Sequence, residues 1–376
     1  MTKTSKIIIG IIIVILVIAG IWYGITRKPA EKGVIKIGAI LPLTGKMGFY
    51  GDYYSHGLDL AVEEINKEGG INGKKIEIVY EDNQGDTKQA VTAYQKLSQT
   101  DNIKIYITTL SGATLALAPL TEKNHDILFN LNSAALAISN AGGYVFRNNI
   151  YPPLEIKALS SFIYQKGYKK IGLIMFNNDA GVAYRDSFSK DFMDKGGKIV
   201  IFELYEQGAT DFKTQLSKIK TQKIDAIVMF AYANEGGLIM KQSKELEITA
   251  PFFSFYTSED SKLLEVGGSA TEGLIYTHSF IESAASSFKQ LLQKKYGTTA
   301  GLFYTATAYD TLKILAKTLD KCNEQDTTCI QGALYKIKDY PGVSGTTTIN
   351  SDGDTEKSVI IKTIKNGQFV PYEVNK

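Results

Sequence analysis

From Ile35 to Lys74 the chain reads IKIGAILPLTGKMGFYGDYYSHGLDLAVEEINKEGGINGK, and few folds accommodate that order of parts. An apolar run, Ile35 to Leu41, has the length and composition of a strand buried on both faces, and Pro42 and Gly45 stop it. Downstream, Leu58, Ala61, Val62 and Ile65 recur at spacings of three and four, which puts them on one face of a helix, with Asp59, Glu63, Glu64 and Lys67 facing water. Gly69-Gly70 ends the helix. A strand, a loop and an amphipathic helix in this order open a doubly wound parallel sheet, and the loop then lies at the carboxyl edge, where such sheets bind ligands.

The same alternation runs on. Strands are expected at 75–80, 103–109, 127–131, 170–176, 199–205, 225–230, 252–255 and 273–277, with helices between them. One helix starts after Asp86 and carries Ala90, Val91, Tyr94 and Leu97 on a face, and another follows Asp211 with Phe212, Leu216 and Ile219. At 376 residues the chain exceeds a single core, so two lobes are expected. Arg147 to Pro153, with Asn148-Asn149 and Pro152-Pro153, is the first break, and a second wound unit opens at Lys170. Val359-Ile360-Ile361 and Phe369-Val370 read as a terminal hairpin. No solenoid repeat, heptad seam or low-complexity segment interrupts the pattern.

Nineteen uncharged, mostly apolar residues, Ile7 to Ile25, follow Lys3 and Lys6 and precede Arg27 and Lys28. At about 1.5 Å per residue they form a helix just long enough to span a bilayer. Their exit lacks a small-x-small cleavage pattern, no cysteine stands there to take a lipid, and Trp22 and Tyr23 suit an aromatic interface belt. The expectation is an uncleaved single-pass anchor over residues 1–33, with a globular part outside the cytoplasm; secretion after signal cleavage is the alternative. Cys322 and Cys329 flank the polar stretch NEQDTT. A pair closing so small a loop reads as a disulfide of an oxidising compartment, two free thiols being the other reading. A zinc site lacks ligands, because no histidine is near in sequence.

Lys and Arg number 42 against 39 Asp and Glu, with no basic run, so no nucleic-acid partner is expected. The three histidines, His56, His125 and His278, have no metal-like spacing, and no nucleophile motif is present. Gly45-Lys46 fails as a phosphate loop, since Ile40 and Met47 stand where glycine and a hydroxyl residue are required. No catalysis, metal or cofactor is expected. The 22 tyrosines supply rigid rings with polar tips, the material of a selective cleft, although many such rings merely line sheets and rims.

The strand exit Gly38-Ala39-Ile40-Leu41-Pro42-Leu43-Thr44-Gly45, Tyr50-Gly51, Gly57-Leu58, Glu64-Ile65-Asn66 and Gly69-Gly70-Ile71 together resemble the opening of the leucine/isoleucine/valine-binding protein family, the type I periplasmic binding proteins that serve ABC transporters. Weaker similarities reach to Ala308-Tyr309-Asp310 and cover nearly all of 34–376. The resemblance implies two doubly wound parallel-sheet lobes joined by a three-crossing hinge: lobe one 34–148 plus 278–356, and lobe two 149–277 plus 357–376. It implies a small-molecule ligand, closure on that ligand, and an ABC permease as membrane partner. A ligand-sensing receptor ectodomain is the rival reading, but Met1 to Lys6 would be too short for an output domain, so it would need a separate signalling chain.

Carried over residue by residue, the resemblance places Ser111, Gly112 and Thr114 at the ligand carboxylate, with Gly112 where serine is frequent; by itself Ser111 reads equally as a helix cap. Ser133 and Ala134 occupy a second loop, where Ala134 replaces a ligand-binding threonine. Tyr232 lines the cleft from the other lobe, and Tyr256 stands where amino-acid binders put an acid against the ammonium. Either Glu235, Glu259 or Asp260 compensates, or the ligand lacks that group, and the second reading is favoured. Ala180 replaces a cleft aromatic, for which Tyr184 is the expected substitute; Tyr50, with Tyr304 and Tyr309, completes the lining.

Overall fold

The computed structural model describes residues 33–280 and 285–373. The apolar stretch Ile7 to Ile25 lies outside them, and among the described residues no helix is long and apolar enough to cross a membrane.

Strand β1 (Val34–Leu41) runs into helix α1 (Gly48–Lys67). Four more strands, β2 (Lys75–Asp82), β3 (Ile105–Thr108), β4 (Ile127–Asn130) and β5 (Val145–Arg147), join it in a five-stranded parallel sheet of order β2-β1-β3-β4-β5. Helices α2 (Thr87–Thr100) and α3 (Ser111–Asn124) return between strands. Asp86 caps α2, accepting from the Gln89 N–H at 2.9 Å. Both faces of the sheet are covered: Ile37, Ala39 and Phe129 pack toward α1, while Ile40, Tyr106 and Leu128 pack with Leu97 and Leu117.

After helix α4 (Pro152–Gln165), which starts with prolines where an N–H has no helical partner, a second sheet forms. It contains β6 (Lys170–Phe176), β7 (Lys198–Tyr205), β8 (Ala226–Phe230), β9 (Phe252–Ser254) and β10 (Ile275–His278), connected through α5 (Asp179–Asp194), α6 (Lys213–Lys220), α7 (Ala233–Glu245) and α8 (Ser261–Gly267). The chain then returns to the first sheet's layer with α9 (Ser286–Tyr296), α10 (Leu302–Leu319) and α11 (Thr327–Leu334). Helix α10 lies against α1 so closely that a Cβ on Gly57 would sit 2.1 Å from the Thr305 carbonyl oxygen. Glu64, expected on the wet face of α1, instead pairs with Lys313 at 2.9 Å and accepts the Tyr309 hydroxyl, tying the two helices together. Cys322 and Cys329 form a disulfide, with Cα atoms 5.7 Å apart, between α10 and α11.

A small antiparallel sheet, β11 (Tyr340–Gly342), β12 (Gly345–Ile349) and β13 (Thr355–Glu356), follows. Its strands are short and threonine-rich, so no apolar alternation announces them, and the Asp310 carboxylate fastens them by accepting from the N–H groups of Val343 and Ser344. Finally β14 (Ile360–Lys365) and β15 (Gln368–Pro371) form the expected hairpin, turning at Asn366-Gly367, both at positive φ, and complete the order β15-β14-β10-β9-β8-β6-β7. The chain thus passes between the two large sheets after β5, after β10 and after β13.

Candidate functional site

The carboxyl ends of β3, β4, β6, β8 and β9, together with helix α1, converge on one small cavity. From the first sheet come Tyr50 and Tyr54, one helical turn apart on α1, then Thr109, Leu110 and Ser111 after β3, and Asn132, Ser133 and Ala134 after β4. The facing wall is Phe176, Ala180, Phe230, Tyr232, Tyr256 and Thr257, and α10 adds Tyr304.

Each wall is held by its own polar framework. Leu110 has φ of 66°, a left-handed conformation unusual for leucine, and α3 begins beside it without a side-chain cap. The first N–H groups of that helix have no intrahelical acceptor and its dipole favours an anion. Ser111 is not a cap: its Oγ accepts from the Ala135 N–H at 3.2 Å, linking the two loops. The Asn130 amide bridges the loops again, donating to Ser133 Oγ and to Thr114 Oγ1, while its oxygen accepts from the Ser133 N–H. Arg147, fully buried, donates to the carbonyls of Ser133 and Ala135 at 3.2 and 2.9 Å and to Asp354.

Across the cavity, the Tyr232 ring stacks on Phe176 with centroids 4.9 Å apart and meets Tyr50 edge-on at 5.8 Å. The Tyr256 hydroxyl donates to the Asn132 carbonyl at 3.2 Å, a direct bond between elements of the two sheets. Both amide atoms of Asn132 and the hydroxyls of Thr257, Tyr50 and Tyr304 are buried without a hydrogen-bond partner of good geometry among the described residues. So many unsatisfied polar atoms around one cavity are expensive unless a ligand or water meets them.

Among the described residues no acidic or basic side chain lines this cavity. Glu259 pairs with Lys362 at 2.6 Å, Glu235 accepts the Gly208 N–H, and one Asp260 oxygen accepts the Lys262 N–H. Burial raises Asp260 to about 6.

Six of the nominated residues, Tyr50, Ser111, Ser133, Ala134, Tyr232 and Tyr256, stand on the cavity. Three do not, each for a local reason. Gly112 is turned toward α2, where a Cβ would meet Thr87 Oγ1 at 3.1 Å. Thr114 donates back to the Leu110 carbonyl and receives Asn130, so it braces the loop. Tyr184 points into the core, stacked on Phe230 at 4.0 Å, and donates to Glu155 at 2.7 Å; Ala180 reaches the cavity instead. Tyr309 is likewise spent on Glu64. Sequence reasoning missed Tyr54, although its i+4 spacing from Tyr50 is a usable signal, and it read Phe176 and Phe230 only as strand ends.

Glu155 is buried completely, and the loss of hydration pushes its carboxyl up from 4.5 to about 7 despite three donors. Because the folded state holds this proton to about 7 and the unfolded chain releases it near 4.5, its contribution to stability is full below pH 4.5 and lost as pH rises past 7. Thermal unfolding between pH 4.5 and 7 is expected to show this fall, on the order of 3 kcal/mol, and Glu155→Gln to flatten it; equal slopes in both proteins would refute the assignment.

A family model described as "Periplasmic binding protein" matches residues 34–368. The leucine-, isoleucine-, valine-, threonine-, and alanine-binding protein of Pseudomonas aeruginosa is 26% identical over 359 residues, covering 94% of this chain and 93% of that protein. The crystal structure of a leucine-binding protein from Thermotoga maritima superposes with a TM-score of 0.83 at 26% identity, covering 90% of this chain and 98% of that one. The branched-chain amino acid transporter substrate-binding protein of Streptococcus pneumoniae, solved with isoleucine, gives 0.80 at 27% identity, covering 89% and 97%.

Proposed function

The chain belongs to the periplasmic binding protein family, one of binding proteins and not of enzymes, and from that premise we propose that it captures a small carboxylate-bearing solute outside the cytoplasm and hands it to an ABC permease. The observation that carries this reading is the cavity itself, where unpaired hydroxyls and the Asn132 amide surround a space closed by tyrosine and phenylalanine rings. The uncapped start of α3 at Leu110 and Ser111 favours a carboxylate. The family relatives named above support amino acids or related compounds as the ligand class. The absence of an acid from the cavity lining, among the described residues, favours a ligand without an α-ammonium.

On this reading the two lobes, 34–148 plus 278–356 and 149–277 plus 357–376, close over the ligand, which stabilises the closed state because it touches both walls. Ile7 to Ile25 would hold the protein on the outer face of the membrane, close to its permease. A thermal-shift screen over amino acids, their oxo-acid and amide counterparts, short peptides and aromatic acids tests the proposal. One class is expected to raise the melting temperature and to compact the protein in small-angle scattering; no shift across the set would overturn it.

A further inference from the structure

Glu155 does not line the cavity, yet three separate elements converge on its carboxylate. Its Oε1 accepts the Tyr256 N–H at 2.9 Å and the Thr277 hydroxyl at 2.8 Å, and its Oε2 accepts the Tyr184 hydroxyl at 2.7 Å. Tyr256 is a cavity wall residue whose own hydroxyl reaches Asn132 on the opposite side. Thr277 is the penultimate residue of β10, next to His278, whose Nδ1 accepts the Phe280 N–H where the chain leaves the second sheet. Glu155 itself lies in the first turn of α4, directly after the chain has entered the second sheet's layer. One carboxylate therefore joins two of the three inter-sheet passages to one wall of the cavity.

We propose that Glu155 is the positioning residue that makes the Tyr256 wall and the two passages beside it move as one unit, so that the hinge transmits its state to the cavity through a group the ligand never contacts. Hydrogen bonds to a charged or strongly polarised carboxylate in a dry interior are stiff, and three of them leave it no free rotamer. An apolar side chain in its place would strand the Tyr256 N–H and two hydroxyls in the core, which explains a buried acid where packing alone would favour leucine. The titratable groups facing it are Tyr184 from α5 and Tyr256 from its loop, with Arg147 exerting a further field at Tyr184.

The inference rests on the binding reading for its purpose, but its test uses ligand-free full-length protein, so a ligand screen that finds nothing leaves its outcome unaffected. Hydrogen exchange resolved to single amides is compared at Tyr256, at Phe280 and at Leu173 in the middle of β6. Glu155→Leu is expected to speed exchange at Tyr256 and Phe280 together by at least about tenfold with Leu173 within about threefold, while Glu155→Gln, whose amide oxygen still accepts, rescues both. Thr277→Val is expected to speed Tyr256 by about threefold or more, though that amide is on a different element, and to add nothing in the Glu155→Leu background. Equal acceleration at all three amides would reduce Glu155 to a core residue and overturn the proposal. So would additive effects of the two substitutions. If Glu155→Leu does not fold, Thr277→Val decides alone, and an unchanged Tyr256 overturns the proposal.

Discussion

Arg147→Met is expected to lower the free energy of unfolding by about 3 to 5 kcal/mol, one of the largest losses any single substitution in this chain should produce. Arg147 and Asp354 are each 1% exposed and are paired at 2.5 Å. Removing the guanidinium strands a carboxylate in the interior, one of whose oxygens already lacks a hydrogen-bond partner among the described residues. It also releases the carbonyls of Ser133 and Ala135 and the Ser139 hydroxyl, so the loop carrying Ser133 and Ala134 loses its support. Methionine fills much of the volume and isolates the electrostatic part. The double variant Arg147→Met with Asp354→Asn should regain at least about 1 kcal/mol, because the buried charge is gone. Urea unfolding followed by circular dichroism measures both. A loss under about 1 kcal/mol for the single variant would mean that water reaches this pair and that the site is not scaffolded as described.

The same pair shows where sequence reading runs out. The strands of the two wound units, the break at 147–153 and the terminal hairpin are legible because each is a local pattern of apolar residues and turn formers. Arg147 falls in that break, but its partner is 207 residues away, and no periodicity connects them. The site divides in the same way. Strand exits point to Tyr50, Ser111, Ser133, Tyr232 and Tyr256, since the carboxyl edge of a parallel sheet is where ligands lie. Which residue of a helix start faces the cavity is a matter of phase: Ser111 faces it, whereas Gly112 is turned toward Thr87 and Thr114 toward Asn130. Tyr184 is a polar-tipped ring that a sequence cannot distinguish from a cleft residue, and its hydroxyl goes to Glu155, an acid whose partners come from three distant segments.

Among ligands that differ only at the α-carbon, the member without an ammonium is expected to bind at least about a hundredfold more tightly than the amino acid, a difference of about 2.7 kcal/mol. The difference is electrostatic. An ammonium brought into this cavity would meet Tyr256, Thr257 and Tyr232 but, among the described residues, no lining carboxylate. Glu155, the nearest acid behind Tyr256, already accepts three hydrogen bonds. Hydroxyls and aromatic faces return only part of the hydration an ammonium loses. On the proposed reading the carboxylate end would instead meet the uncapped start of α3 and Ser111. Calorimetry with isoleucine and its 2-oxo analogue, and with phenylalanine and 3-phenylpropionate, supplies the comparison. Tyr232→Ala, which removes the ring stacked on Phe176, should weaken whichever member binds by about a hundredfold. Gly112→Ser, whose side chain would face Thr87 and not the cavity, should change affinity by less than about threefold. Tighter binding of either amino acid would overturn the electrostatic reading, and it would direct attention to Asp260, the buried acid beside Tyr50 and Tyr304 whose second oxygen has no partner among the described residues.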